Sequence, residues 1–183
     1  VDTGLEQFMV PPGVEELYGF KVQEFEEALA GYGLKPEDID VIIHTHLHND
    51  HCENDYKCVN ARIYVQKAEY EFFLDPHPVD HRYFSDLLDG LDVVQVEGDR
   101  EIVDGIQVLL TPGHTVGGQS VAVHTRKGTA VITGFCCNAL NFPPSGPVVP
   151  PGVHLNLMDA YESAWRVKEA ADIQAQAAMD KEA

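Results

Sequence analysis

Apolar positions along this chain follow two rhythms in succession. Val22, Phe25, Leu29 and Leu34 recur near helical spacing, and Gly31 or Gly33 supplies a stop. Pro36 with Glu37 and Asp38 predicts a second helical turn before a strand over 41–45. Arg62-Ile63-Tyr64-Val65 reads as a strand and Lys67 to Leu74 as a short helix. Asp75-Pro76-His77-Pro78 breaks regular structure, and helical spacing resumes at Tyr83, Leu87 and Leu88. From residue 92 the rhythm shortens. Runs at 92–96, 101–103, 106–110, 120–124 and 129–133 predict strands, punctuated by Gly98, Gly105 and Arg126-Lys127-Gly128. A Pro-rich loop fills 143–151, and a helix with Asn156 as N-cap runs from Leu157 to about Ala178. Helices interspersed with short strands fit sheets packed against outer helices.

Length narrows this picture to a single domain over 1–183, large enough to bury a substantial core. The formal net charge of −18 argues against nucleic acid or an anionic membrane surface as partner. The apolar runs are too short for a transmembrane helix. The chain opens at Val1-Asp2-Thr3-Gly4 without an initiator Met, basic n-region or apolar h-region, which leaves a processed or truncated start open. Cys52, Cys58, Cys136 and Cys137 form no spaced disulfide framework, so reduced thiols in the cytoplasm are the expectation.

Chemistry concentrates in residues 44–51, His-Thr-His-Leu-His-Asn-Asp-His, directly after Val41-Ile42-Ile43. Imidazole and carboxylate are the ligands that zinc and similar divalent ions prefer. In an extended segment His44, His46 and His48 would share one side, with Asp50 and His51 following a turn. Histidines this dense point to a metal site rather than a solvated loop. A further histidine, His114, follows the Pro112-Gly113 turn at the end of the apolar run Leu109-Leu110. Alone it would be a surface turn residue. Beside a cluster short of a ligand it is a candidate.

His46-Leu47-His48-Asn49-Asp50-His51 resembles the H-x-H-x-D-H signature of the metallo-β-lactamase superfamily, and Thr111-Pro112-Gly113-His114 resembles its next ligand motif. Val1-Asp2-Thr3-Gly4, Val65-Gln66-Lys67-Ala68-Glu69-Tyr70, Glu97-Gly98-Asp99 and Pro151-Gly152-Val153-His154 are similar to the N-acyl-homoserine lactonase branch. The resemblance implies an α+β fold, a four-layer αββα sandwich with its metals at one edge of the sheets. It implies that His46, His48 and His114 hold a first metal, and that Asp50 and His51 belong to a second. One or two zinc ions, or other divalent metals, are then the cofactor. Two ions about 3.5–4 Å apart lower the pKa of a bridging water toward roughly 7, and the metal-bound hydroxide attacks a polarised carbonyl. Asp50 is the catalytic candidate for passing a proton to the leaving oxygen. His44 is assigned to the strand end or to a supporting role behind the ligands.

Two positions depart from the family pattern. The aspartate that bridges the metals in the family falls at Phe135, which cannot ligate; a shift of one residue places Cys136 there, and thiolate binds zinc well. The bland alternative is that Cys136 and Cys137 are buried thiols at a strand end. The family tyrosine near this loop is replaced by Asn138. The family also closes with a strand ending in a histidine. Here Ala171-Asp172-Ile173 resembles the approach to it, Gln174 to Ala178 reads as helical, and no histidine lies beyond His154. Either the chain is incomplete at both ends relative to the family, or the second site is degenerate.

The other histidines take a bland reading first. His77 and His81 read as solvated in the Pro-broken segment, with substrate contact the lesser alternative, and His124 as surface near a hairpin turn. His154 follows a Pro-Gly turn that the resemblance puts near the substrate side, with pocket contact the lesser alternative. Phe72, Phe73, Tyr83, Phe84 and Phe142 either wall an acyl-chain pocket or belong to the core, the commoner fate of aromatics. Three functions remain open at this point. The first is a hydrolase opening a small-molecule lactone of the acyl-homoserine type, the chemistry of quorum quenching. The second is a thioesterase of the glyoxalase II type, and the third a degenerate metal-binding domain without catalysis. The acidic composition and the lactonase-like segments weigh against the thioesterase.

Overall fold

The computed structural model describes residues 1–19 and 21–172. The chain divides into two compact units, one formed by Val1–Val65 with Glu71–Val94 and the other by Gln66–Tyr70 with the chain from Gln95 on.

The first unit begins with an extended segment whose backbone is tied to the histidine motif. Asp2 N–H donates to the Ile43 carbonyl (3.1 Å), Thr3 and Gly4 N–H to that of His51 (2.8 and 3.2 Å), and Gly4 bridges to Cys52. Two short helices follow, α1 (Val14–Tyr18) and α2 (Phe25–Ala30), with Gly31 capping α2. A 3-10 turn at Pro36–Asp38 leads into β1 (Val41–Ile43). β1 pairs in parallel with β2 (Arg62–Gln66), Val41 opposite Arg62 and Ile43 opposite Tyr64. Strand β1 ends two residues earlier than the apolar pattern predicts. The His44 N–H still donates to the Tyr64 carbonyl of β2 (3.0 Å); beyond it the chain leaves the ladder, and after His48 it coils into the single-turn helix α3 (Asn49–Cys52).

Helix α4 (Lys67–Leu74) has the limits the pattern predicts. Helical spacing over 83–88 holds only as a 3-10 turn at Ser85–Leu88. The preceding Pro-broken segment is less exposed than its composition implies, since Asp80 and Tyr83 are buried. Strand β3 (Asp92–Val96) completes a three-stranded sheet ordered β1-β2-β3.

The second unit is an antiparallel meander of β4 (Arg100–Val103), β5 (Ile106–Leu110), β6 (Gln119–Thr125) and β7 (Gly128–Ile132) in that order. Val108 and Val121, paired across β5 and β6, are buried on one face of this sheet, and Leu109, Ala122 and Val131 are buried on the other. Helix α5 (Leu157–Ala170) packs Ala164 and Val167 onto Leu109, Ala122, Val131, Phe135 and Val148, with Trp165 and Phe142 alongside. The Asn156 side chain accepts from the N–H groups of Met158 and Asp159, the predicted cap. The helix stops at Ala170, shorter than the pattern predicts, because Ala171 turns extended and its N–H returns to the Val167 carbonyl. The strand approach and helical run predicted from Ile173 onward lie outside the described residues.

Candidate metal centre

The loop between β1 and α3 carries His44, His46 and His48, all buried, while His51 is half-buried and Asp50 exposed. The rings of His46 and His48 meet edge to face with centroids 4.6 Å apart, and those of His46 and His51 lie 4.0 Å apart. The Asp50 carboxylate stands 3.8 Å from His51 Nε2. Three of the predicted ligands and the catalytic candidate are thus gathered in the first unit.

His44 is different. Its Nε2 bonds Asp55 (2.6 Å) and its Nδ1 faces Asp2 (3.4 Å), both carboxylates. Burial alone would lower its pKa, but the charge of Asp55 and the hydrogen bonds with Asp2 and Asp55 outweigh it and push the pKa up to about 9. His44 is therefore a buried imidazolium between two carboxylates and has no lone pair for a metal. Its assigned place behind the ligands agrees with this geometry.

Asp2 organises the rest. Burial pushes its carboxyl up, yet hydrogen bonds from His44 and His51, with the charge of His44, outweigh that and hold it well below the usual carboxylate range. An ionised carboxylate only accepts. Its Oδ2 therefore takes the proton of His51 Nδ1 (2.9 Å), so the lone pair of His51 sits on Nε2. The same oxygen accepts from the Thr45 hydroxyl (2.9 Å). With its proton directed there, Thr45 Oγ accepts from His46 Nδ1 (3.0 Å), placing the lone pair of His46 on Nε2 as well. One carboxylate thus sets two imidazole tautomers. Asp2 takes up this post from a left-handed backbone conformation (φ 51°), unusual for a residue other than glycine. Sequence reasoning missed its role, although Val1-Asp2-Thr3-Gly4 stands among the segments that carry the family resemblance.

In the second unit His114 is buried, and its Nδ1 bonds the Val153 carbonyl (2.9 Å). A carbonyl only accepts, so Nε2 again keeps the lone pair. The Pro112-Gly113 turn that presents His114 is pinned to the start of α5. The Gly113 carbonyl accepts from Leu155 (2.7 Å) and Asn156 (3.0 Å), and Ser163 Oγ donates to the Pro112 carbonyl (2.6 Å). Gly113 is required twice over. Its φ is 124°, and a Cβ there would stand 2.2 Å from the Ala160 nitrogen.

Phe135 packs in the core of the second unit, as an apolar residue at that position must, and Cys136 beside it is exposed in the loop after β7. Cys137 is half-buried, 3.2 Å from Thr133 Oγ, with its thiol pushed up by burial. Buried Cys52 and Cys58 are free thiols, and burial pushes that of Cys58 up to about 11. His77, His81 and His124 are exposed, as predicted; His154 is half-buried with Nδ1 bonded to the Pro151 carbonyl. Among the aromatics, Phe73 and Tyr83 are core, Phe72 and Phe142 half-buried, and Phe84 exposed.

The chain resembles known proteins in both sequence and fold. The family model described as the metallo-β-lactamase superfamily matches residues 7–134. An N-acyl homoserine lactonase of Bacillus sp is 42% identical over 101 residues, 55% of this chain and 39% of the relative. A probable metallo-hydrolase of Methanocaldococcus jannaschii is 35% identical over 143 residues, 78% of this chain and 58% of the relative. The crystal structure of an N-acyl homoserine lactone hydrolase with N-hexanoyl-L-homoserine at its catalytic metal centre superposes with a TM-score of 0.71 at 30% identity, covering 92% of this chain and 69% of that one. The chain's match therefore spans 39% of the length of the Bacillus lactonase. Among the described residues no helix is long and apolar enough to cross a membrane. With its α+β build and its histidine motif, this chain belongs to the metallo-β-lactamase superfamily.

Proposed function

We propose that this chain is a zinc hydrolase that opens acyl-homoserine lactones, with His46 and His48 of the first motif and His114 of the second as ligands of the kind the superfamily's motifs imply. The observation that carries the reading is the state of the donors. His46 and His114 are buried, and each gives one ring proton to an acceptor, which leaves a lone pair on the opposite nitrogen. Neutral imidazoles held in one tautomer are what a metal requires. His51, oriented by Asp2, and exposed Asp50 would serve a second ion, with Cys136 as a candidate third donor to it.

A bound divalent ion supplies Lewis acidity, which activates water and polarises the ester carbonyl. The chain's own groups do the rest. Water adds to the carbonyl carbon, the ring C–O bond breaks, and the ring oxygen leaves as an alkoxide that needs a proton. Asp50, at the exposed start of α3, would take up the proton that the attacking water releases and pass it to that oxygen. The lactone assignment rests on the Bacillus relative and on the product-bound neighbour.

Hydrolysis of N-hexanoyl-homoserine lactone and of a glutathione thioester, each before and after chelation and zinc reloading, separates the readings. Zinc-dependent opening of the lactone with little thioester turnover is expected. Thioester turnover exceeding lactone turnover would select the glyoxalase-type alternative.

A further inference from the structure

The segment between α4 and β3 carries a buried carboxylate that no metal motif includes. Asp80 is 3% exposed, and its Oδ2 lies 2.9 Å from His48 Nε2. Arg82, two residues on, grips the same carboxylate with two prongs, Nε to Oδ1 and Nη2 to Oδ2, each at 2.8 Å. The Asp80 N–H returns to the His77 carbonyl (2.9 Å), making the turn that aims the side chain inward. The Arg82 carbonyl accepts from Asn49 N–H (2.9 Å), immediately after His48. Next in line, Tyr83 sets its ring edgewise to His48 with centroids 4.8 Å apart and packs on Phe72 at 5.2 Å. One short segment therefore touches His48 by carboxylate and aromatic ring, and its neighbour Asn49 by backbone.

The geometry points to Asp80 as a positioning residue that fixes the tautomer and ring plane of His48, with Arg82 holding Asp80 in place. This rests on the reading that His48 holds the metal. With Arg82 on both its oxygens, Asp80 is an anion and only accepts, so His48 gives it the Nε2 proton. The lone pair of His48 then falls on Nδ1, opposite to the pattern of His46, His51 and His114. Two neighbours in one motif can thereby offer different nitrogens from a single loop. A carboxylate behind a ligating histidine also raises its basicity, and losing such a partner costs about 10–100-fold in metal affinity.

The test uses the full chain, freed of metal and titrated with zinc against a chelating dye. A long-range 1H–15N spectrum of the metal-free wild type is expected to show the His48 proton on Nε2. Asp80→Asn keeps an acceptor oxygen, so it should hold that tautomer and lose less zinc affinity than Asp80→Ala. Asp80→Ala should mix the tautomers and weaken zinc binding about 10–100-fold. A wild-type proton on Nδ1, or an Asp80→Ala affinity within about twofold of wild type, overturns the assignment. Unchanged zinc affinity in His46→Ala would instead sink the metal reading, while the His48 tautomer still decides the role of Asp80.

Discussion

The four histidines of residues 44–51 divide by what stands behind each ring. His44 faces two carboxylates and is charged; behind His46, His48 and His51 stand Thr45 Oγ, Asp80 and Asp2. Replacing Asp2 by Ala frees His51 and Thr45 together, and we expect zinc affinity to fall about 10–100-fold in a chelator competition. An unchanged affinity would show that the carboxylate only anchors the N-terminal segment. His44→Asn removes the cation between buried Asp55 and half-buried Asp2, so it should cost about 3–5 kcal/mol in denaturant unfolding at pH 6. Because the folded pKa of His44 is raised from 6.5 to about 9, its contribution is complete below 6.5 and is lost as pH climbs through 9. The stability gap between metal-free wild type and His44→Asn should therefore narrow across that window; a constant gap would refute the buried imidazolium. At this scale the sequence showed the ligand candidates but not their supports. His-x-His-x-Asp-His is contiguous and legible, whereas the acceptors Asp2, Asp55 and Asp80 lie 42, 11 and 32 positions from the histidines they bond.

Elements were legible where one physical cause sets their limits. Helix α4 and the Asn156 cap follow from local pattern and appear as predicted. Strand β1 and the segment before Ser85–Leu88 do not, because tertiary bonds override local propensity there: the loop after Ile43 turns to meet Asp2, and Asp80 turns inward to meet His48. The Pro112-Gly113 turn behaves as an element of its own, wedged against α5. Gly113→Ala forces a Cβ into the Ala160 backbone at a positive φ, so it should destabilise by more than about 1 kcal/mol and also weaken zinc binding through His114. Asn156→Ala removes only a cap, costs about 1 kcal/mol, and should leave zinc affinity intact. Thermal melts beside zinc titrations distinguish the two; equal loss of affinity in both would mean that α5 rather than the turn positions His114.

Across the whole molecule, the superfamily was legible from its two ligand motifs, because the chemistry of a metal confines residue types and spacing far more tightly than a core does. The division into two compact units was not, since a single hydrophobic count covers both. The net charge of −18 attracts cations to the chain as a whole. A metal bound only by the folded chain must stabilise it: at about a thousand times its dissociation constant, zinc adds about 4 kcal/mol. Chelation should accordingly lower the unfolding midpoint of the wild type and leave that of His46→Ala nearly unmoved. The claim on which everything else depends is that the histidine motif holds a metal ion. Its most direct measurement is the divalent metal content per chain of purified wild type and His46→Ala, by plasma mass spectrometry after dialysis. The account predicts at least one retained ion in the wild type and its loss in the variant; equal metal content in the two proteins would contradict it.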